Sequence, residues 1–176
     1  MKEILRKLKD YYSLSDSEFE ERIAVPSVSD LPNPFILYSD FHLLIDKLKE
    51  YIKENKKIVV YGDYDVDGLT STAILVGTLQ IMGVTPGYYI PSRYIDGYGI
   101  NKTRVDQFIA KGYEVIITVD NGISEVETID YAKSKGLEVI VIDHHEVTKD
   151  VLPNADFIFH QYICLSLIHI WRCRRT

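Results

Sequence analysis

Cysteine and tryptophan are missing from almost the whole chain. The only two cysteines, Cys164 and Cys173, and the single tryptophan, Trp171, fall within the last thirteen of the 176 residues. The preceding residues therefore have no thiol or disulfide chemistry. Long apolar runs are missing too. None approaches the length of about 20 residues that spans a bilayer, and the first residues, Met-Lys-Glu-Ile-Leu-Arg-Lys, lack the apolar stretch of a signal peptide. We expect a cytoplasmic protein.

An excess of positive charge is also missing. The chain carries 20 lysines and arginines against 26 aspartates and glutamates, a formal charge of -6. This balance argues against a broad basic surface for binding long duplexes. Acidic clusters that bind cations would account for part of the charge, so a nucleic-acid substrate stays open. With 46% hydrophobic residues, the length suffices for one α/β domain with its own core.

The end of the chain differs from the rest in composition. Residues 162–176 contain three arginines and no acidic residue, and the string from Leu165 to Arg175 resembles a translated sequencing adapter. We interpret 162–176 as an artefactual tail and take no ligand from it. The alternative is a genuine last strand with a basic end.

The apolar pattern predicts an N-terminal segment followed by alternating strands and helices. Residues 1–39 mix charged and apolar positions, with a helix capped at Ser15 and three prolines further on, and we interpret them as an adaptor. An amphipathic helix is predicted from Asp40 to about Asn55. Strands are predicted near 57–62, 86–90, 114–119 and 138–142, and helices over 69–82, 101–111 and 124–135.

This order predicts the α/β class, a parallel sheet with helices on both faces, joined by right-handed crossovers. The helix over 69–82 is apolar on nearly all sides. We therefore expect it to be among the most buried elements of the fold.

Acidic residues and histidines directly follow three of the predicted strands. They are Asp63, Asp65 and Asp67; Asp120; and Asp143, His144 and His145. Because parallel strands end at one edge of the sheet, where such folds bind their ligands, these side chains are expected to converge. Carboxylates and imidazoles together suit one or two divalent cations that activate water against a phosphate.

The first group alone fits two other kinds of site. Alternating aspartates closed by Gly68 match the start of a calcium-binding EF-hand loop. Counted from Asp63, however, the twelfth position is Ile74, where that loop requires a bidentate glutamate, and a strand precedes it. The segment Asp65–Asp67 also matches the nucleophile motif of aspartate-dependent phosphatases, although Leu69 stands where that motif has threonine.

The third group argues against the phosphatase alternative. Adjacent imidazoles at a strand end have no evident use in an aspartyl-phosphate mechanism, whereas in a metal site one can ligate a cation while the next faces the substrate. Taken singly, the pair could be surface histidines and Asp120-Asn121-Gly122 a simple turn. One shared site is the more economical interpretation.

In type and order these motifs resemble the DHH phosphoesterases, and within them the RecJ-type single-strand-specific 5′→3′ exonucleases. The resemblance rests on Gly62–Gly68, Asp120–Ile123 and Asp143–His145 and covers roughly residues 40–160, which we take as an incomplete DHH domain. The loop Pro91–Gly99 also resembles the RecJ type. It favours this branch over small-substrate relatives such as manganese pyrophosphatases and nano-RNA or cyclic dinucleotide phosphodiesterases.

The resemblance implies a role for each residue of the three groups. The implied metal ligands, for a pair of Mn²⁺ or Mg²⁺ ions, are Asp65, Asp67, a bridging Asp120 and His144. Asp63 and Asp143 would support the ligands through hydrogen bonds. His145 would contact the scissile phosphate.

Residues in and after the Pro91–Gly99 loop suit contact with a nucleic-acid strand. Arg93, Lys102 and Arg104 could pair with phosphates, and Tyr94 and Tyr98 could stack on bases. The alternative is packing or surface exposure, because the chain has 13 tyrosines spread along its length.

The resemblance also implies parts that this sequence lacks, namely a fourth motif with another aspartate ligand and a second domain that closes over the cleft. We therefore expect the N-terminal part of a single-stranded-DNA exonuclease, inactive alone, whose longer form would work with a single-strand-binding protein and a helicase. Two alternatives stay open: a nano-RNA or cyclic dinucleotide phosphodiesterase, and a non-catalytic module that binds metal or single strands.

Overall fold

The computed structural model describes residues 2–24, 41–97, 99–147, 151–161 and 163. The chain divides into two compact units, Met1–Asn33 and Pro34–Thr176. Within the described residues, no helix has the length and apolar character needed to cross a membrane.

The first unit contains two short helices, α1 (Lys2–Tyr11) and α2 (Asp16–Ile23). Helix α2 begins with a capping box: Ser15 Oγ accepts the Glu18 amide at 3.3 Å, and the Glu18 carboxylate accepts the Ser15 amide at 2.9 Å. The predicted helix start at Ser15 is thus confirmed. No residue of α2 is buried, so this helix contributes no side chain to a hydrophobic core. The three prolines noted above lie outside the described residues.

The second unit contains a parallel sheet of five strands in the order β2-β1-β3-β4-β5. Its elements, in chain order, are α3 (Phe41–Lys53), β1 (Ile58–Tyr61), α4 (Val66–Ile81), β2 (Gly87–Tyr89), α5 (Lys102–Ala110), β3 (Val115–Val119), α6 (Val126–Ser134), β4 (Glu138–Ile142) and β5 (Phe157–Phe159). Every described strand pair is parallel. The predicted α/β class is confirmed, and β5 is a strand that the sequence pattern did not indicate.

Alternate residues of the central strands feed two hydrophobic cores, one on each face of the sheet. Val60 and Ile117 pack in the first core, with residues of α3 and α4. Val59 and Ile116 pack in the second, with residues of α5 and α6. Because both faces are covered, β-branched side chains can fill every position of these strands, which is why they read as continuous apolar runs.

Helix α4 is much less buried than its sequence predicts. Its buried residues are Gly68, Thr72 and Leu79, whereas Ile74 is 71% exposed and Ile81 89% exposed. The expectation that this helix is among the most buried elements is wrong. A helix lying on a sheet covers only one of its faces, and apolar residues on the other sides stay exposed unless a further layer packs on them.

Candidate metal centre

The three predicted groups of acidic residues and histidines lie at one edge of the sheet. Strands β1, β3 and β4 are neighbours, and their pairing aligns Tyr61 with Thr118 and Val119 with Ile142. The strands therefore end together, and the segments that begin at Asp63, Asp120 and Asp143 leave the sheet side by side. This is the edge at which parallel α/β sheets bind ligands.

Two overlapping sets of side chains could each hold a metal ion. Ligand atoms of Asp63, Asp65 and Asp120 lie within 4.8 Å of one another, and so do those of Asp120, His144 and His145. Asp120 belongs to both sets. A carboxylate shared in this way is suitably placed to bridge two cations.

Asp67 belongs to neither set, although the family resemblance implies that it is a ligand. It lies in the first turn of α4, where its amide and that of Gly68 each donate to Asp65 Oδ1 at 3.0 Å. Asp65 is therefore the N-cap of α4, and these bonds, led by that from Gly68, hold the pKa of its carboxyl below the usual range. In this structure Asp67 positions Asp65 through its backbone, and its own side chain lines the adjoining cleft.

Asp63 belongs to one of the two possible metal sets, whereas the family resemblance implies only a supporting role for it. It is 2% exposed and its Oδ1 accepts the Tyr64 amide at 2.7 Å. Burial, together with the negative charge of Asp65, raises the pKa of its carboxyl. The start of α4 packs directly on Asp63: a Cβ placed on Gly68 would lie 2.5 Å from the Asp63 amide nitrogen and carbonyl oxygen. Only glycine allows that approach.

Asp120 combines a left-handed backbone conformation with one side-chain oxygen that has no hydrogen-bond partner among the described residues. Its φ of 62° lies in the left-handed region, which aspartate tolerates better than most residues. Oδ1 lies 2.8 Å from His144 Nε2, while Oδ2 is buried and has no hydrogen-bond partner among the described residues. Burial and the charge of Asp65 raise the pKa of the carboxyl. A buried carboxylate oxygen without a donor is costly, and a cation would satisfy it.

Asn121 holds two strand ends together. Its Nδ2 donates to Val119 O at 2.9 Å and to Tyr61 O at 3.3 Å, so the side chain links β3 to β1. Asn121 is fully buried. The sequence pattern indicated only a turn here, because the bond to Tyr61 joins residues 60 positions apart.

Asp143 organises the loop that carries the two histidines. Its Oδ1 accepts the amides of His144 and His145 at 2.7 and 3.1 Å and lies 2.8 Å from His145 Nδ1. Its Oδ2 accepts the Ile123 amide at 2.9 Å. Burial pushes the pKa of this carboxyl upward, but these hydrogen bonds outweigh it and the pKa is lowered. Both oxygens are occupied by protein donors, as a supporting carboxylate requires.

The two histidines present their rings beside Asp120. His144 is 57% exposed in its side chain, and its ring centroid lies 4.6 Å from that of His145. The Nδ1 of His145 faces Asp143, so its Nε2 lies on the opposite side of the ring. Burial lowers the pKa of His145, but the hydrogen bond and charge of Asp143, with those of the other carboxylates, outweigh it and raise the pKa.

A cleft of about 540 Å³ opens beside these groups. Its walls combine polar residues of the strand-end edge with apolar residues of α3, α4 and the sheet. The lining residues are Phe41, Leu44, Asp67, Thr70, Ser71, Ile74, Val119, Asp120, Ile142, Asp143, His144 and Phe159. A substrate placed here would contact carboxylates, an imidazole and apolar side chains.

Arg104, predicted to contact the substrate, is engaged inside the protein. Its Nε lies 2.6 Å from Asp96 Oδ1 and its guanidinium stacks over Tyr89 at 4.5 Å. Asp96 also accepts the Tyr89 hydroxyl at 2.9 Å and the Ser92 amide at 2.8 Å. The cluster ties the loop after β2 to the start of α5. The sequence around Arg104 does not indicate this ion pair, because an arginine after a loop suits phosphate binding equally well.

The other predicted substrate contacts are differently placed. Arg93 is exposed and lies over the Tyr64 ring at 5.8 Å. Tyr94 is 97% exposed. Lys102 lies over the Tyr131 ring at 5.8 Å. Tyr98 lies outside the described residues. Of this set, Arg93, Tyr94 and Lys102 are exposed and thus have surfaces open to a ligand.

Residues 57–166 match the model of the DHH family, N-terminal domain. The chain is 43% identical to the single-stranded-DNA-specific exonuclease RecJ of Bacillus subtilis over 115 residues, 65% of this chain and 14% of that protein. It is 40% identical to the RecJ of Escherichia coli over 128 residues, 72% of this chain and 22% of that protein.

A solved structure gives the same result. A crystal structure of exonuclease RecJ bound to manganese matches with a TM-score of 0.67 and 34% identity, covering 77% of this chain and 33% of that chain. The chain thus spans less than a quarter of the length of the two sequence relatives. The predicted resemblance to RecJ-type proteins is confirmed. The family model covers more than half of the 176 residues, and the chain belongs to the DHH family.

Proposed function

We propose that this chain carries part of the active site of a metal-dependent phosphodiesterase that removes nucleotides from the 5′ end of single-stranded DNA. The observation that carries the proposal is the position of Asp120, which belongs to both possible metal sets and has a buried oxygen without a partner among the described residues. The names of the RecJ relatives support the substrate class.

The donor set suits manganese or magnesium. Asp65, Asp120 and His144 would hold the cations, with Asp63 within reach of the first set. Oxygen donors with one or two imidazoles are typical of Mn²⁺ sites, and Mg²⁺ takes the same carboxylates. Asp67 would contribute after a change of its side-chain conformation from that seen here. When bound, the cations supply a water of lowered pKa and neutralise charge on the phosphate.

His145 would contact the phosphate. Its Nδ1 is fixed by Asp143 Oδ1 at 2.8 Å, and the ring therefore keeps Nε2 turned away from that carboxylate. Burial lowers the pKa of this ring, but the hydrogen bond and charge of Asp143, with the other carboxylates, outweigh it and raise the pKa. A protonated Nε2 donates a charge-assisted hydrogen bond to a phosphate oxygen.

The loop after β2 would guide the strand. Arg93 supplies a charge for a backbone phosphate and Tyr94 a ring for a base. Arg104 would act through Asp96, by holding this loop in place, instead of touching DNA. The role of Tyr98 remains a prediction.

The chain alone is proposed to bind metal weakly and to turn over little DNA. It spans 14% and 22% of the length of its two RecJ relatives, and the family resemblance implies a further aspartate ligand and a closing domain for full activity. For the longer protein we propose a cytoplasmic location, which the single-stranded-DNA substrate of its relatives supports, and single-strand-binding protein and helicase as partners.

The substrate class can be tested with the purified chain and Mn²⁺. We would compare a 5′-phosphorylated single strand, the same strand in a duplex, and a linear dinucleotide. The inactive control is Asp120→Asn, and the matched variant is Asp46→Asn, an exposed aspartate of α3. The proposal predicts at most slow release of 5′ nucleotides from the single strand, lost in Asp120→Asn only. Hydrolysis of the dinucleotide alone would instead indicate the small-substrate branch. Tight single-strand binding without any cleavage would indicate a binding module.

A further inference from the structure

Residues at the end of strand β5 form hydrogen bonds with the loop that carries the two histidines, Asp143–His145. The amide of Asp143 donates to Phe159 O at 3.0 Å. Just beyond the strand, His160 Nε2 lies 2.6 Å from His145 O, and Gln161 Nε2 donates to His144 O at 3.3 Å. Three consecutive residues after the middle of β5 thus bind three consecutive residues of the loop. Phe159, His160 and Gln161 all lie outside the Asp143–His145 motif.

His160 has the more constrained of the two side-chain contacts. It is 0% exposed, whereas Gln161 is exposed. A carbonyl oxygen can only accept, so the contact requires that His160 Nε2 carry a hydrogen and donate it. His160 belongs to neither candidate metal set. A buried imidazole with a fixed donor direction costs conformational freedom and desolvation, and such a group is expected to serve a specific partner.

His145 is consequently held on both sides of its Cα. Its amide and its Nδ1 lie 3.1 and 2.8 Å from Asp143 Oδ1. Its carbonyl, on the other side, is held by His160. Fixing the amide and the carbonyl fixes the backbone from which the side chain projects, and Asp143 then fixes the ring rotation. The result is a single direction for His145 Nε2.

We infer that His160 is a positioning residue for the active site: by donating to His145 O, it keeps the His145 ring on Asp143 and its Nε2 directed at the strand-end site. This inference rests on the proposed function of His145 but concerns a different residue and a measurable geometry. Supporting hydrogen-bond partners of this kind contribute about 10-fold to 100-fold to metal affinity or activity.

The test compares two substitutions at His160. His160→Gln keeps a donor at about the position of Nε2, because the glutamine amide reaches as far as that ring nitrogen. His160→Leu fills similar space with no donor. Ile140→Ala, in the neighbouring strand β4, is the matched control: Ile140 is also 0% exposed, so its truncation destabilises the core without removing the donor.

The first readout is NMR of the metal-free chain: the ring nitrogen shifts of His145, and hydrogen exchange of the His144 and His145 amides. We expect His160→Leu to move the His145 ring signals and to speed both amide exchanges by about tenfold, the factor that corresponds to losing one hydrogen bond from the closed loop. We expect His160→Gln and Ile140→Ala to leave the ring signals in place. Unchanged His145 signals in His160→Leu, or equal changes in His160→Leu and His160→Gln, would overturn the inference.

The second readout is Mn²⁺ affinity, measured by the loss of the free-ion EPR signal. His160→Leu should weaken it by about tenfold, and His160→Gln by much less. If the wild-type chain binds no Mn²⁺, the proposed function fails, while the NMR result still decides the positioning role. If His160→Leu does not fold, His160→Asn takes its place, because the asparagine amide is too short to reach His145 O. It should move the His145 ring signals in the same way, and unchanged signals would overturn the inference.

Discussion

His144 Nε2 lies 2.8 Å from Asp120 Oδ1, across the ends of two neighbouring strands. Carboxylate oxygens and imidazole nitrogens are both common ligands of divalent cations, and the two residues belong to one of the possible metal sets. In this structure the two atoms contact each other, so the imidazole side chain is already turned towards the carboxylate. We therefore expect metal to bind after a small separation of the pair, without rearrangement of either loop.

Helix α4 contains a pair of glycines that tests the close packing at Asp63. Gly68→Ala should displace the start of α4, because the added Cβ would lie 2.5 Å from Asp63 backbone atoms. We expect a loss of about 1 to 3 kcal/mol in unfolding free energy and about tenfold in Mn²⁺ affinity. Urea unfolding and an EPR titration measure both.

Gly77→Ala is the matched control for that change. Gly77 lies in the same helix, and a Cβ there would have no neighbour within 4 Å. This variant should gain about 0.5 to 1 kcal/mol from helix propensity and keep its Mn²⁺ affinity. Equal effects of the two substitutions on stability and Mn²⁺ affinity would show that the close packing of α4 on Asp63 does not influence the metal site.

The link made by Asn121 gives a second prediction. Asn121→Ala removes the donor to Tyr61 O and Val119 O and leaves two strand-end carbonyls without it. The unfolding free energy should fall by about 1 to 3 kcal/mol, and Mn²⁺ affinity should fall because Asp63 and Asp120 are no longer held in register. Asn101→Ala, which removes the N-cap of α5, should cost about 1 kcal/mol with no effect on Mn²⁺. A loss of stability alone in Asn121→Ala would refute the link to the metal site.

The cluster around Asp96 predicts a pH dependence of stability. Burial pushes the pKa of Asp96 upward, but hydrogen bonds from Ser92, Arg104 and Tyr89 outweigh it and lower the pKa. The stabilisation is therefore fully present above the unfolded pKa of about 3.9 and is lost as the pH falls through the lower folded value.

Asp96→Asn should abolish that part of the acid sensitivity. It should also lower the unfolding free energy at pH 7 by about 3 kcal/mol, because Arg104 loses its charged partner. Urea unfolding between pH 7 and pH 3 measures both effects, with Asp106→Asn, a partner of Tyr131 at the surface, as the control. Parallel pH curves for the wild type and Asp96→Asn would contradict the assignment.

The exposed side of α4 gives a fourth prediction. Ile81, at 89% exposure, should accept lysine with a change within about 0.5 kcal/mol. Leu79, at 1% exposure in the same helix, should lose about 2 to 5 kcal/mol on substitution by alanine. Thermal or urea unfolding of Ile81→Lys and Leu79→Ala decides this. A large loss in Ile81→Lys would mean that the outer side of α4 is covered in solution.

The sequence was sufficient for the parts of the fold that depend on local pattern. Runs such as Val115–Val119 are β-branched and bounded by polar residues or glycine, and they predict buried parallel strands. The convergence of the groups starting at Asp63, Asp120 and Asp143 follows from the same pattern, since parallel strands end together. In these cases the physical cause lies within a few consecutive residues.

The remaining features depend on contacts between distant residues. The residues next to Asn121 do not indicate its bond to Tyr61. The residues next to Arg104 do not show that it pairs with Asp96 instead of a phosphate. The apolar sequence of α4 does not tell which side meets the sheet. For His160, the partner lies 15 positions earlier, and the three-residue strand before it is too short to recognise from its pattern.

The central claim is that Asp120 is the shared ligand of a cation site at the strand ends. The most direct measurement is a Mn²⁺ titration of the purified chain by EPR, with Asp120→Asn beside Asp46→Asn, whose carboxylate is exposed and pairs with Lys49. We predict saturable binding that Asp46→Asn retains and Asp120→Asn weakens at least about tenfold, since a ligand should contribute no less than a supporting residue. Equal Mn²⁺ affinity in all three proteins would contradict the account.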